Sequence, residues 1–171
     1  PKVTELEKWT FSGCSSLASV TLNNVETIGA QAFSKIAAAE LDNAPHPCSA
    51  LAEIDLGKVT SIAEGAFQET GLTSVSLGSG SVGANAFMNC EALTSIDLGN
   101  VTEIGANAFR GTAVVDLTIP ATVTTIGGNA FIDSTALEQV TMSQDHSSKI
   151  GHKKVARDGY CIGTRWYQDG T

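Results

Sequence analysis

All six phenylalanines of this 171-residue chain fall on one recurring position. They are Phe11, Phe33, Phe67, Phe87, Phe109 and Phe131, at spacings of 22, 34, 20, 22 and 22 residues, and alanine precedes every one but the first. A self-similar period of roughly 20 to 50 residues marks a chain that stacks like units along an axis instead of wrapping one globular core.

The residues between the phenylalanines follow one template. After Phe11 come Leu17, Val20, Leu22, Val25 and Ile28, then Gly29 and Ala32-Phe33. After Phe87 come Leu93, Ile96, Leu98, Val101 and Ile104, then Gly105 and Ala108-Phe109. Leu51, Ile54, Leu56, Val59 and Ile62 fit without slippage. Leu72, Val75 and Leu77 fit with a one-residue slip in a loop, as do Val114, Leu117, Ile119, Val123 and Ile126. Leu137, Val140 and Met142 make a last half-repeat. Alternation in Val-x-Leu predicts a short strand with one face inward. Such strands bury a core only by stacking, with paired backbones about 4.8 Å apart, so equivalent side chains form ladders. Glycine after most of the isoleucines suits a tight turn with unusual backbone angles. Alanine before phenylalanine suits a place where a larger side chain would clash with the next coil.

The string Leu-x-x-Val-x-Leu-x-x-Val-x-x-Ile-Gly-x-x-Ala-Phe resembles the BspA-like leucine-rich repeat, a short bacterial and protozoan-type variant, over about residues 1–142. The resemblance implies a mostly β repeat solenoid: a right-handed coil with a parallel sheet on its concave side and short turns or short helices between strands. A second row of short strands is expected at the Val-x-x-Ile segments. The family is associated with adhesion and partner binding at the cell surface or after secretion. That association comes with the resemblance and not with the composition.

Three segments depart from the template. Between Phe33 and Leu51 an insertion, about residues 34–50, lengthens the loop, and Phe33, Ile36, Ala37 and Leu41 lie at helical spacing. A short amphipathic helix is therefore expected from Ala30 to about Asp42, ended by Pro45 and Pro47. The chain starts in mid-repeat, which reads as a trimmed piece of a longer protein, with Trp9, Glu5, Glu7 and Lys8 over the open core end. From 143 to 171 the repeat stops. Lys149, Lys153, Lys154, Arg157 and Arg165 outnumber the three aspartates there, giving that tail +2 against −10 for residues 1–142. Asp158-Gly159 favours a hairpin turn. The tail is expected to be an irregular C-terminal cap or linker, with a β-hairpin and with Tyr160 or Trp166 against Leu137, Val140 and Met142.

Composition narrows the function. A formal net charge of −8 argues against a nucleic-acid partner, and no apolar run approaches the roughly 18 residues of a membrane span, so no membrane insertion is expected. Cys14, Cys48 and Cys90 each stand three residues before a ladder leucine, a recurrence that reads as reduced, buried packing. Cys14 and Cys48 belong to neighbouring coils, so the repeat also permits a disulfide between them. No metal-ligand spacing, nucleophile elbow or phosphate-binding glycine motif is present, so neither a metal, another cofactor nor an enzymatic activity is expected.

What remains for function is the exposed face of the Val-x-Leu strands. Its two columns hold Glu53, Asp55, Ser74, Ser76, Ser95, Asp97, Asp116 and Thr118, and neither column contains Lys or Arg. Small polar and acidic side chains on a rigid scaffold make a recognition surface with little ordering cost. The expected partner is a protein or a glycan, with a basic protein segment ahead of calcium, and with Asp55, Asp97 and Asp116 at the centre. The alternatives are a structural spacer displaying another domain, or the repeat region of an enzyme whose catalytic part lies elsewhere. An exposed solenoid end also invites end-to-end self-association.

Overall fold

A computed structural model describes residues 2–34 and 47–143 of the protein. Eleven short strands are found among them: β1 Glu5–Leu6, β2 Thr27–Ile28, β3 Asp55–Leu56, β4 Ser61–Ile62, β5 Ser74–Leu77, β6 Ser79–Val82, β7 Ser95–Asp97, β8 Asn100–Ile104, β9 Asp116–Ile119, β10 Thr125–Ile126 and β11 Gln139–Met142. Every pairing is parallel and joins equivalent strands of neighbouring coils. The result is a parallel β-solenoid of about six turns.

The phenylalanine ladder is its spine. Successive rings stack at 5.2, 4.9, 5.1, 5.1 and 5.4 Å between centroids, in one unbroken row from Phe11 to Phe131. Phe33, Phe67, Phe87 and Phe109 are fully buried, and the end rings Phe11 and Phe131 are half-buried. The alanines before them, Ala32, Ala66, Ala86, Ala108 and Ala130, are buried as expected.

Two rows of strands flank this spine, and their ranking differs from expectation. The Val-x-x-Ile row, expected as the minor one, forms the continuous sheet, in the order β1-β2-β4-β6-β8-β10. The Val-x-Leu row is split into β3-β5-β7 and β9-β11, and Val20–Leu22 forms no strand. The split falls at the coil whose corner, Ile119 to Val123, is one residue longer than that from Leu98 to Val101. In the shorter corner the Asn100 amide donates to the Gly78 carbonyl. The longer corner carries Pro120, which has no amide hydrogen, and the Thr122 hydroxyl donates to the Val101 carbonyl instead.

The glycines after isoleucine are needed for a different reason from the one expected. Gly105 and Gly127 do not have a positive φ. A Cβ on Gly105 would lie 2.5 Å from the Ala84 nitrogen, and one on Gly127 would lie 2.4 Å from the Ala106 nitrogen. Close backbone approach between coils, not turn geometry, excludes a side chain.

Among the described residues most left-handed conformations lie instead two residues before or after a phenylalanine. Before it they fall at Trp9, Gln31, Gly65, Asn85, Asn107 and Asn129, and after it at Gly13, Glu69, Asn89, Gly111 and Asp133. Trp9 is therefore a member of the turn ladder. Its Nε1 donates to Gln31 Oε1 at 2.7 Å, with Lys8 Nζ 4.0 Å from its ring centre.

The helix expected from Ala30 does not begin there. Residues 30–34 are turn, with the Gln31 and Phe33 amides donating to the Glu64 and Ala66 carbonyls of the next coil. Amides committed to stacking cannot serve a helix's own ladder. The rest of that segment, residues 35–46, lies outside the described residues, and so does all but Ser143 of the expected C-terminal cap.

Candidate functional site

The eight candidate face residues are all exposed, and the solenoid gathers some of them into rows. Strand register sets Asp55 opposite Ser76 and Ser76 opposite Asp97, so three neighbouring strands carry an Asp-Ser-Asp row. Ser74 stands opposite Ser95 in the other column, and Glu53 lies two residues before Asp55. Two strand spacings separate Asp55 from Asp97, about 10 Å. Asp116 and Thr118 stand on β9, across the split, and pair with Gln139 and Thr141. No ladder joins β7 to β9, so strand register does not set Asp116 beside Asp97.

The aspartates also have local work, which the sequence reading missed. Asp55 Oδ1 accepts the Gly57 amide at 2.9 Å, and Asp97 Oδ1 accepts the Gly99 amide at 2.9 Å. Each closes the Asp-Leu-Gly corner at the end of its strand, as short acidic side chains do in turns. The recurrence of Asp-Leu-Gly at 55–57 and 97–99 was the available signal. The Ser76 hydroxyl donates to the second oxygen of Asp97 at 3.4 Å, which leaves the outward part of the row polar and acidic.

Acidic character extends beyond the row. Among the described residues thirteen carboxylates face Lys2, Lys8, Lys58 and Arg110. Arg110 is committed to Asp133, at 2.9 Å, on the outside of the turn ladder. Among the described residues no three His, Cys, Asp or Glu side chains converge in a way that could hold a metal ion. A shallow depression of about 410 Å³, lined by Lys2, Thr4, Asn24, Glu26, Lys58 and Thr60, lies at the start of the continuous sheet and not on the aspartate face.

The cysteines divide. Cys48 and Cys90 are fully buried, but Cys14 is exposed, because no coil covers it on the outer side. Burial pushes the Cys48 thiol up to about 11, with the neighbouring Cys14 adding to the rise. Burial likewise pushes the Cys90 thiol up to about 11, opposed by hydrogen bonds from Thr70. Neither is a thiolate near neutral pH, and both serve as packing groups.

With this geometry in place, the likeness to known proteins is informative. The sequence matches the BspA type leucine rich repeat region over residues 1–81 and 60–155, in six copies. A leucine rich cell surface protein from Faecalibacterium prausnitzii superposes with a TM-score of 0.68 at 36% identity, over 82% of this chain and 36% of that one. The pneumococcal vaccine antigen PcpA superposes with a TM-score of 0.50 at 18% identity, over 83% of this chain and 29% of that one, and so shares the fold. The chain spans about a third of the length of these structures. No curated protein sequence matches it. With six copies of the repeat spread over most of its length, the chain belongs to the BspA-type leucine-rich-repeat family.

Proposed function

We propose that the chain is a non-enzymatic interaction module of a cell-surface or secreted protein, and that the aspartate face takes a basic segment of a protein partner. The observation that carries this reading is the row Asp55, Ser76, Asp97: register-locked, exposed, and without a basic side chain in either column. Family membership and the 36%-identical cell surface protein support the setting. Parallel strands hold the row in place before any partner arrives, so little side-chain or backbone ordering opposes binding. Clustered like charges attract a cationic group and raise its encounter rate, in a manner that salt screens.

The test begins with a screen of the chain against extracellular-matrix proteins and glycans. The binder found is then measured against the combined substitution Asp55→Asn, Asp97→Asn and Asp116→Asn. Asparagine keeps an oxygen for the Gly57 and Gly99 amides, so the corners survive and only charge is removed. Affinity is expected to fall about tenfold or more at low ionic strength, mostly through the association rate, and to fall with added salt in the parent. Unchanged affinity, or indifference to salt, would show that this face is solvated surface and that binding lies elsewhere.

A further inference from the structure

We propose that Cys14 and Cys48 form a disulfide under oxidising conditions, clamping the first coil of the solenoid to the second. The argument rests on one repeat position, three residues after phenylalanine in the unbroken coils. It is held by Cys14, Cys48, Thr70, Cys90, Thr112 and Ser134, with Cys48 reaching it after the insertion. In two of the three neighbouring pairs both side chains share one phenylalanine carbonyl.

Two of the pairs show the geometry in full. Thr70 Oγ1 and Cys90 Sγ both donate to the Phe67 carbonyl, at 2.9 and 3.0 Å, and lie 3.3 Å from each other. Thr112 Oγ1 and Ser134 Oγ both donate to the Phe109 carbonyl, at 3.0 Å each, and lie 3.1 Å apart. The position thus brings the tip atoms of consecutive coils into contact. In the remaining pair both occupants are cysteines. Cys48 Sγ donates to the Phe11 carbonyl at 3.2 Å, just as Cys90 and Ser134 do to theirs, and the Cys14 amide donates to the same carbonyl at 3.1 Å. The Phe11 and Phe33 rings of these two coils stack at 5.2 Å, and stacked coils lie about 4.8 Å apart, inside the roughly 4.4–6.8 Å Cα range that disulfides span. The other pairs hold at most one sulfur each, so they cannot be bridged.

Access favours the same pair. Cys14 is exposed and meets a small-molecule disulfide first. Its thiolate attacks one sulfur of that oxidant, forming a mixed disulfide and expelling one thiolate. Cys48 then gives up its proton to solvent, its sulfur attacks Cys14, and the second small thiolate leaves. Two electrons pass from the pair to the oxidant, and one sulfur–sulfur bond is made for the one broken. The bond would fasten the Cys14 coil to the next one and would close a loop that holds most of the 34–50 insertion. It would oppose local opening of the half-buried Leu17, Val20 and Leu22.

The test uses the full chain with Cys161→Ser, oxidised glutathione as the oxidant, and peptide mapping without reduction. A linked peptide pair containing Cys14 and Cys48 is expected, with Cys90 still a free thiol. Amide exchange in residues 17–28 is expected to slow about tenfold on oxidation, and not at all in a Cys14→Ser variant. Cys14 persisting as a glutathione adduct beside a free Cys48 thiol would overturn the proposal. So would bridges between separate chains, or a linked pair with no change in exchange.

Discussion

Phe11 and Phe87 hold the same place in the repeat and end in different surroundings. Phe87 lies fully buried between rings inclined by 7° and 3°, whereas Phe11 is half-buried and inclined by 23° to its single neighbour. The same contrast runs around both coils. Leu93, Ile96 and Leu98 after Phe87 are buried, Ile96 within β7, while Leu17, Val20 and Leu22 after Phe11 match the template, stay half-buried and form no strand. Sequence is nearly constant between the two, so the difference comes from stacking. A coil with neighbours on both sides is completed by them, and a coil with one neighbour keeps only what that neighbour can cover.

The sharpest way to break this comparison is to delete the same side chain in both places. Phe109→Ala removes a fully buried ring between two others and should lower stability by about 3–5 kcal/mol. Phe11→Ala should lower it by about half that or less, since part of the ring already meets water. Denaturant unfolding of the two variants measures the difference, and equal losses would mean that stacking does not govern local stability.

Glycine probes the backbone in the same way. Gly105→Ala sets a Cβ 2.5 Å from the Ala84 nitrogen, between two coils that both have outer neighbours. A loss of about 1–3 kcal/mol is expected, the usual scale of forced overpacking. Gly29→Ala meets the Glu7 carbonyl carbon at 2.6 Å, but the coil it presses on has no further neighbour and can yield outward. Its loss should be the smaller of the two. The reverse order would indicate that the first coil is held more firmly than its exposure suggests.

Alkaline titration tests an interior thiol. Cys90 ionises near 9.0 in the unfolded chain and near about 11 when folded, so the unfolded state gives up its proton first. Stability from this group is complete below pH 9, is lost between pH 9 and about 11, and falls no further above that. Cys90→Thr places there the residue found at 70 and 112 and removes the titration. Its stability should fall less steeply across that window, and parallel curves for parent and variant would exclude the thiol as the cause.

How far these features could be read from sequence depends on what each one requires. The core was legible because a ladder demands the same apolar residue in every coil, as at Phe33, Phe67, Phe87 and Phe109. The exposed Asp-Ser-Asp row followed from the two-residue alternation of Val75 and Leu77. The ranking of the two sheets was not legible, because hydrogen-bond register has no mark in side-chain polarity. The exposure of Cys14 was missed because recurrence predicts packing only where a neighbour exists on each side. The turn ladders left a partial trace: Asn85, Asn107 and Asn129 recur at a fixed offset, but Trp9, Gln31 and Glu69 share their backbone conformation without sharing their chemistry.

Those exceptions supply the smallest and most local test. Glu69 has φ 62°, and its amide is tied to the Met88 carbonyl of the next coil, so the conformation is imposed by stacking and not chosen by the side chain. Asn89, one coil later, has φ 57° at the same position. A β-carbon with a long side chain is disfavoured in the left-handed region, and asparagine relieves this through local hydrogen bonding. Glu69→Asn should therefore raise stability, by about 0.5–1 kcal/mol, with the backbone unchanged. The equivalent change near the open end, Gln31→Asn, should gain less, because Gln31 Oε1 accepts the Trp9 indole hydrogen at 2.7 Å and the shorter side chain would release it. Urea midpoints for the two variants give the comparison directly. A gain at Gln31 equal to that at Glu69 would mean that the Trp9 contact adds nothing to the first coil, leaving stacking on the second as its whole support.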